Sequence, residues 1–510
     1  MSDEAFALYA KDRERQQSQN EARQIRTRVN EARGSPHAAG VRWPFELLQN
    51  ALDAGPRPGR KTVAVSLRVQ DYSLTFEHDG APFTTSELAA LLSGGSSKKF
   101  ESEETTGRFG TGFLVTHVLA EHTKLRGLLA LPEGYERFDL ILDRSGDEEQ
   151  ILRNILACNE AIRAATEVDD PDDEPSALFH YPDNDNEALG AGVTAFRRSL
   201  PYLYGTRRLL GQVHIALSDG CSESWVPSDP VERVLDSGLL LERSVSVSED
   251  PRGHSREFRV LRFQVARGAL PAALVVLTPA KTGWRVVVPE AQSPRIYREY
   301  PVRGSAVLPF DVVLDGKFEV DQDRSRLLMS EQDRHLLGEA FDAAVAAVSF
   351  GYAEGWANQH ALTRATAPEA GFQPSDEDET PWWRGQLANF ASRVAQKPVV
   401  ATSAGYLPAV AESGDTAVFP IPRLHLADEI DGTTIDRVLS LAEACTALHP
   451  PVAELAADWT EICHGWSSLG LPIVRTDMKA LAAIARGNAQ VVSELAVEGE
   501  SVAWLAQFID

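Results

Sequence analysis

Three polar side chains in register on one short helix constrain this chain more than any other feature. The segment Pro44-Phe45-Glu46-Leu47-Leu48-Gln49-Asn50-Ala51-Leu52-Asp53-Ala54-Gly55 spaces Glu46, Asn50 and Asp53 at i, i+4 and i+7, which at 3.6 residues per turn aligns them in one stripe. Phe45, Leu48 and Leu52 form a parallel apolar stripe, so this helix can bury one side against a sheet. Gly55-Pro56-Arg57-Pro58-Gly59 then breaks the chain, and Val63, Val65, Leu67 and Val69 alternate with polar or small residues as a half-buried strand. A turn near Asp71 leads into a second strand, Ser73 to Glu77, and Thr84-Thr85-Ser86-Glu87 reads as a capping box opening a helix through Leu92. Helix, antiparallel strands and helix predict an α/β sandwich. Further on stands Gly107-Arg108-Phe109-Gly110-Thr111-Gly112-Phe113. Its glycines let backbone N–H groups approach an anion, and a helix over Leu114 to Ala120 would aim its positive end there.

The order E-x-x-x-N-x-x-D-A, a strand ending in an Asp-Gly turn, then G-x-F-G-x-G-F resembles the GHKL ATPases, the superfamily of gyrase B, the ninety-kilodalton heat-shock chaperones, sensor histidine kinases and MutL. Leu74 to Thr84 and Gly107 to Phe113 read like the heat-shock chaperones and the sacsin-like ATP-binding proteins. The resemblance covers about residues 35 to 200, and three motifs in the right order carry more weight than any one. It implies the Bergerat fold, in which ATP lies between helices and one face of a mixed sheet.

What the resemblance implies for the site can be stated residue by residue. Glu46 takes the position of the general base that activates water, and Asn50 the position whose side-chain oxygen coordinates Mg2+. Magnesium keeps several waters, so one Asn, the phosphates and water complete its shell. Asp53 would orient neighbouring side chains or water. Gly107, Arg108, Phe109, Gly110, Thr111, Gly112 and Phe113 would receive the phosphates. Gly94 to Lys99 has the composition of a lid from which Ser97 or Lys98 would touch phosphate on closing, although plain surface charge accounts equally for the lysines.

At the base end the sequence departs from the family. An ungapped comparison sets His78 where the chaperones have the Asp that accepts from the adenine amino group, and His78 shares its strand face with Leu74 and Phe76. A one-residue bulge would hand the role to Asp79, whose carboxylate suits the amino group better and is slightly favoured. Gly80 would keep the backbone close to the base. Gly190 to Phe196 is similar to the family's late strand motif, in which a Thr hydroxyl supports the adenine-binding Asp, and Thr194 is its counterpart. In Lys317 to Arg326, Arg324 and Arg326 are candidates for an arginine finger on the terminal phosphate; ion pairs to Asp321 or Asp323 explain the same pattern.

At 510 residues, 43% hydrophobic and 24% charged, the chain is long enough for several cores and about three domains. The reading divides it into a helical arm (1–34), an ATP-binding domain (35–205), a β-rich α+β domain of transducer or middle-domain type (206–362), a linker (363–380) and a mixed, largely helical C-terminal region (381–510). Residues 165–187 are acidic and turn-rich, predicting an exposed loop, and Lys11 to Arg33 predicts a solvated helical arm. Strands are expected at Arg256 to Ala266, Ala273 to Thr278 and Trp284 to Pro289, and helices at Ser330 to Ala357, Asp436 to Leu448 and Met478 to Ile484.

Cys158, Cys221, Cys445 and Cys463 stand far apart, which indicates neither a zinc site nor a disulfide framework. No secretory signal pattern and no uninterrupted bilayer-length apolar run is visible, so a cytoplasmic protein without membrane association is expected. A formal charge of −24 opposes general adhesion to nucleic acid. The resemblance implies an ATP-driven switch acting with a protein partner or client, as a homodimer through the N-terminal region, of the kind found in bacterial stress or anti-phage defence systems. The alternatives are a DNA clamp of MutL or MORC type and a nucleotide-binding scaffold with little turnover.

Overall fold

Buried side chains alternate strictly with half-buried or exposed ones where the sandwich begins. In a computed structural model of the chain, Val63, Val65, Leu67 and Val69 fall on one face of β1 (Val63–Gln70), and Leu74, Phe76 and His78 are the buried side chains of β2 (Ser73–His78). The structure describes residues 3–94, 112–182, 186–266, 271–321, 323–369, 372, 377–410 and 451–472. The chain divides into two compact units, residues 1–230 with 243–259, and residues 231–242 with 260–510.

The first unit is an α/β assembly on a mixed sheet. Asp71, at φ 49°, turns β1 into β2, and the two pair antiparallel from Gln70↔Ser73 to Val65↔His78. The remaining strands are β3 (His122–Leu131), β4 (Gly134–Asp143), β5 (Thr166–Val168), β6 (Ala177–Tyr181), β7 (Leu210–Ala216) and β8 (Ser222–Pro227), in the order β8-β7-β1-β2-β6-β3-β4-β5. Only the β1–β7 pair among them is parallel.

The segment 165–187 is therefore more than an exposed loop. It contains β5 and the interior strand β6, whose Ala177, Phe179 and Tyr181 are buried between β2 and β3. Flanking carboxylates hid a five-residue apolar alternation.

Among the described residues this unit has the α-helices α1 (Asp3–Gly34), α2 (Pro36–Gly40), α3 (Trp43–Asp53), α4 (Thr85–Ser93), α5 (Glu148–Arg163) and α6 (Asn186–Thr206). α4 carries the expected capping box: the Thr84 hydroxyl accepts from Glu87 N–H and the Glu87 carboxylate from Thr84 N–H. α1 is not solvated along its length. Ala22, Ile25 and Val29, at helical spacing, are buried with Leu114 and with Ile151 and Ile155 of α5, whereas Phe6, Leu8 and Tyr9 near its start are exposed.

The second unit begins with β9 (Val231–Leu235), which pairs with residues 238–242 of β10 (Gly238–Asp250); residues 245–250 of that strand pair with β8 in the first unit's set. β11 (His254–Gln264), β12 (Ala272–Pro279), β13 (Trp284–Val286), β14 (Ile296–Arg298), β15 (Tyr300–Pro301) and β16 (Val313–Asp315) follow. α7 (Glu331–Glu354) opens on a Ser330–Asp333 capping box and closes on left-handed Gly355. Its Leu337, Phe341 and Val348 are buried with Phe310, with Trp383 and Phe390 of α8 (Glu379–Ala395), and with Trp459 and Trp466 of α9 (Ala456–Ser468). By length and a mean hydropathy of 1.2, α7 alone among the described residues has the composition of a membrane span; half of that window is buried in the core. A short hairpin, β17 (Pro398–Thr402) and β18 (Gly405–Pro408), completes the unit. Thr363 and Ala365 are buried, and Ala365 is bridged to Phe310. The helices expected at 436–448 and 478–484 lie outside the described residues.

Candidate active site

α3 carries the polar stripe because its other side is committed to packing. Leu47, Leu48, Ala51 and Leu52 are buried, Pro44 sits in the first turn, where its missing N–H costs nothing, and the Trp43 indole N–H donates to Ala188 O at 3.0 Å. Gly192 makes that contact feasible, since a Cβ there would meet the Trp43 indole nitrogen at 2.0 Å. This overturns one expectation. Gly190 to Phe196 is not a late strand but part of α6, and Thr194 is exposed on that helix. The motif resemblance does not hold here, because Gly192 lets two helix surfaces approach closely.

At the N-terminal end of α3, Glu46 is 9% exposed. Arg42 Nη2 donates to its Oε1 at 3.0 Å. Its other oxygen lies against the backbone of Gly112, where a Cβ would stand 1.9 Å from Oε2. The Glu46 helix and the end of the glycine-rich segment are thus in direct contact, and only glycine fits at the meeting point. Gly112 opens a 3-10 helix, Gly112–Val118, in place of the expected α-helix. Phe113 points its side chain into the core, with ring centroids 5.4 Å from Phe179 and 5.8 Å from His117, so only its backbone is available to a ligand. Gly107, Arg108, Phe109, Gly110, Thr111, Ser97 and Lys98 lie outside the described residues.

Asn50, one turn beyond Glu46, is half-buried. Asp53, the third member of the stripe, accepts from Gln49 Nε2 at 3.5 Å and lies 4.0 Å from Arg207 Nη2. Among the described residues no group of three His, Cys, Asp or Glu side chains gathers to hold a metal ion. A cation that needs few protein ligands and retains water fits a single amide oxygen such as that of Asn50.

At the C-terminal end of α3 the Asp-Gly turn is bound to the helix terminus. Ala81 N–H donates to Gly55 O at 2.8 Å, and Gly80 forms a bridge with Pro56. The β2 ladder runs without a bulge through His78, which pairs with Val65 on one side and Ala177 on the other. The register that would hand the base to Asp79 is therefore absent. Asp79 turns to the other face, where Oδ1 accepts from Ala64 N–H at 2.6 Å and Oδ2 pairs with Arg60. His78 is the residue on the α3 side, 5% exposed, and its Nδ1 accepts from Gly80 N–H at 3.2 Å. Burial, and secondarily the Arg57 guanidinium, push its pKa down to about 4, so the ring is neutral near pH 7.

Sequence reasoning missed Arg57. This guanidinium, buried between two prolines, donates to Gly80 O at 3.2 Å, Ser176 Oγ at 2.8 Å, Glu174 O at 2.6 Å, the Asp172 carboxylate at 3.1 Å and the Pro171 carbonyl. Ser176 also donates to Gly80 O. One cation ties the acidic segment to the Asp-Gly turn. The only hint in sequence was an arginine inside Gly-Pro-Arg-Pro-Gly and a distant excess of carboxylates.

Arg324 and Arg326 belong to the second unit. Arg324, at φ 50°, stands over the Tyr300 ring at 5.3 Å, and Arg326 lies 3.8 Å from Asp321. The Asp321 carboxylate also accepts from Ser325 N–H at 2.6 Å, cinching the loop.

No protein-family model and no curated protein matches the chain. Among solved structures it is similar to the ATPase region of Saccharomyces cerevisiae topoisomerase II, in two structures, one of them bound to ICRF-187 (dexrazoxane). Each is 15% identical with a TM-score of 0.23, and each match covers 38% of this chain and 59% of that chain. The match thus spans less than two thirds of those structures. A likeness of that degree carries no argument about function, which rests on the residues themselves.

Proposed function

We propose that the chain is an ATP-binding and ATP-hydrolysing conformational switch whose nucleotide lies along α3. The observation that supports this most strongly is the seating of Glu46 against Gly112. A buried carboxylate and a glycine backbone meet in one place, Asn50 stands one turn further along the same helix, and the Asp-Gly turn is fastened at its far end. Ala51 follows Glu46 by about 7.5 Å of helix rise, so phosphate and base ends are separated along one rigid element.

In this reading the backbone at Gly112 faces the phosphates, and Arg42 holds one Glu46 oxygen so that the other is oriented toward the attacking water as proton acceptor. Asn50 would hold Mg2+ through its side-chain oxygen; when bound, that ion neutralises phosphate charge. Asp53 stays engaged with Gln49 and Arg207 and positions the helix surface. Arg324 and Arg326 are the candidate cations for the terminal phosphate, and hydrolysis would act as a switch on a protein partner, with the N-terminal arm as a dimer contact. A scaffold with little turnover is the second reading, supported by the Arg42 ion pair that occupies one oxygen of the proposed base.

Binding and hydrolysis of Mg-ATP by wild type, Glu46→Ala and Asn50→Ala test the assignment. Glu46→Ala is expected to keep nucleotide and lose turnover, and Asn50→Ala to lose both. Equal hydrolysis by all three rejects it, and binding without hydrolysis by wild type selects the scaffold.

A further inference from the structure

We infer that His78 meets the base as a hydrogen-bond donor, through Nε2–H to an acceptor ring nitrogen of adenine, and leaves the exocyclic amine unread. The inference rests on the ATP reading above. A backbone N–H can only donate, so the bond from Gly80 N–H to Nδ1 at 3.2 Å requires a bare nitrogen there. A neutral imidazole then carries its one proton on Nε2.

The turn cannot readily release this tautomer. Gly80 O is held by both Arg57 and Ser176, its neighbour Ala81 is bonded to Gly55 O, and a Cβ on Gly80 would lie 3.0 Å from Ala51 O and 3.1 Å from the His78 ring nitrogen. Helix end, glycine and imidazole are packed as one block. Among the described residues nothing accepts from Nε2.

Adenine presents its amine only as a donor and its ring nitrogens as acceptors. A donor on the protein therefore pairs with a ring nitrogen, whereas a carboxylate at the same position would pair with the amine. His78 is in this sense a specificity residue with inverted polarity.

Equilibrium binding to the full chain of Mg2+ complexes of ATP, purine riboside 5′-triphosphate, which lacks the amine, and inosine triphosphate tests this. Wild type should bind ATP and the amine-free analogue within about threefold, because no buried group loses a partner. His78→Asp should bind ATP at least about tenfold more tightly than the analogue. A wild type that loses about tenfold when the amine is removed overturns the inference, as does a His78→Asp ratio equal to that of wild type. Tighter wild-type binding of inosine triphosphate than of ATP also overturns it, since the donor would then be reading an oxygen at position 6. The wild-type comparison needs no variant to fold. Failure of all three triphosphates to bind wild type would instead remove the ATP reading itself.

Discussion

At one end of α3 the Arg42–Glu46 ion pair holds a carboxylate against the backbone of Gly112; at the other, Arg57 spreads its bonds over Gly80, Pro171, Asp172, Glu174 and Ser176. The first sets one carboxylate oxygen on a guanidinium and the other against a glycine backbone. The second is over-determined and fixes a turn. Substitutions at the base end should therefore appear first in stability, and those at the Glu46 end first in turnover.

Among single substitutions the largest effect is expected from Arg57→Ala. Removing a buried cation leaves the Pro171, Glu174 and Gly80 carbonyls short of donors, a loss on the order of 3–5 kcal/mol. Urea unfolding measures it, and a cost under about 1 kcal/mol would remove the contrast between the two ends.

Acid should come next. Folding lowers the pKa of His78 to about 4 and of His117 to about 3 from 6.5, in both cases chiefly through burial. As pH falls below 6.5 the unfolded chain binds these protons first. Stability is whole above that pH and declines toward pH 4 for His78 and on toward pH 3 for His117, by about 3 kcal/mol for His78 alone. Denaturation midpoints between pH 7 and 4 follow this, and His78→Gln should flatten the slope. An unchanged slope would contradict burial of a neutral ring.

Gly112→Ala should cost about 1–3 kcal/mol through the clash with the Glu46 carboxylate, and should reduce hydrolysis. Placed on Glu46→Ala the same substitution should cost much less, because the two positions are coupled through one contact. Additive costs would mean that the contact is not what makes residue 112 a glycine.

The smallest effect belongs to Thr84→Ala. Losing the capping box should cost about 1 kcal/mol in thermal or urea unfolding, with nucleotide binding unchanged.

Local patterns were the legible part of the sequence. The alternation in β1 and β2 and the Thr84–Glu87 box depend on neighbours within a few residues, and both stand as expected. The face of α3 bearing Glu46 was legible for the same reason. What escaped detection depends on distant partners. β6 becomes a strand because β2 and β3 enclose it, and the surrounding acidic residues masked its alternation. Gly192 serves Trp43, a contact distant in sequence that the motif resemblance at Gly190 to Phe196 does not show. Arg57 finds acceptors more than a hundred positions away. The choice between His78 and Asp79 turned on a bulge, and only the paired ladder decides that.

The most direct test is a crystal structure of the chain with Mg2+ and a non-hydrolysable ATP analogue. The account predicts the terminal phosphates at the junction of Gly112 and α3, the metal on the Asn50 side-chain oxygen, Glu46 facing the γ-phosphate, and the base beside His78. A nucleotide bound away from α3, or a Glu46–Gly112 junction that stays closed to phosphate, would contradict it.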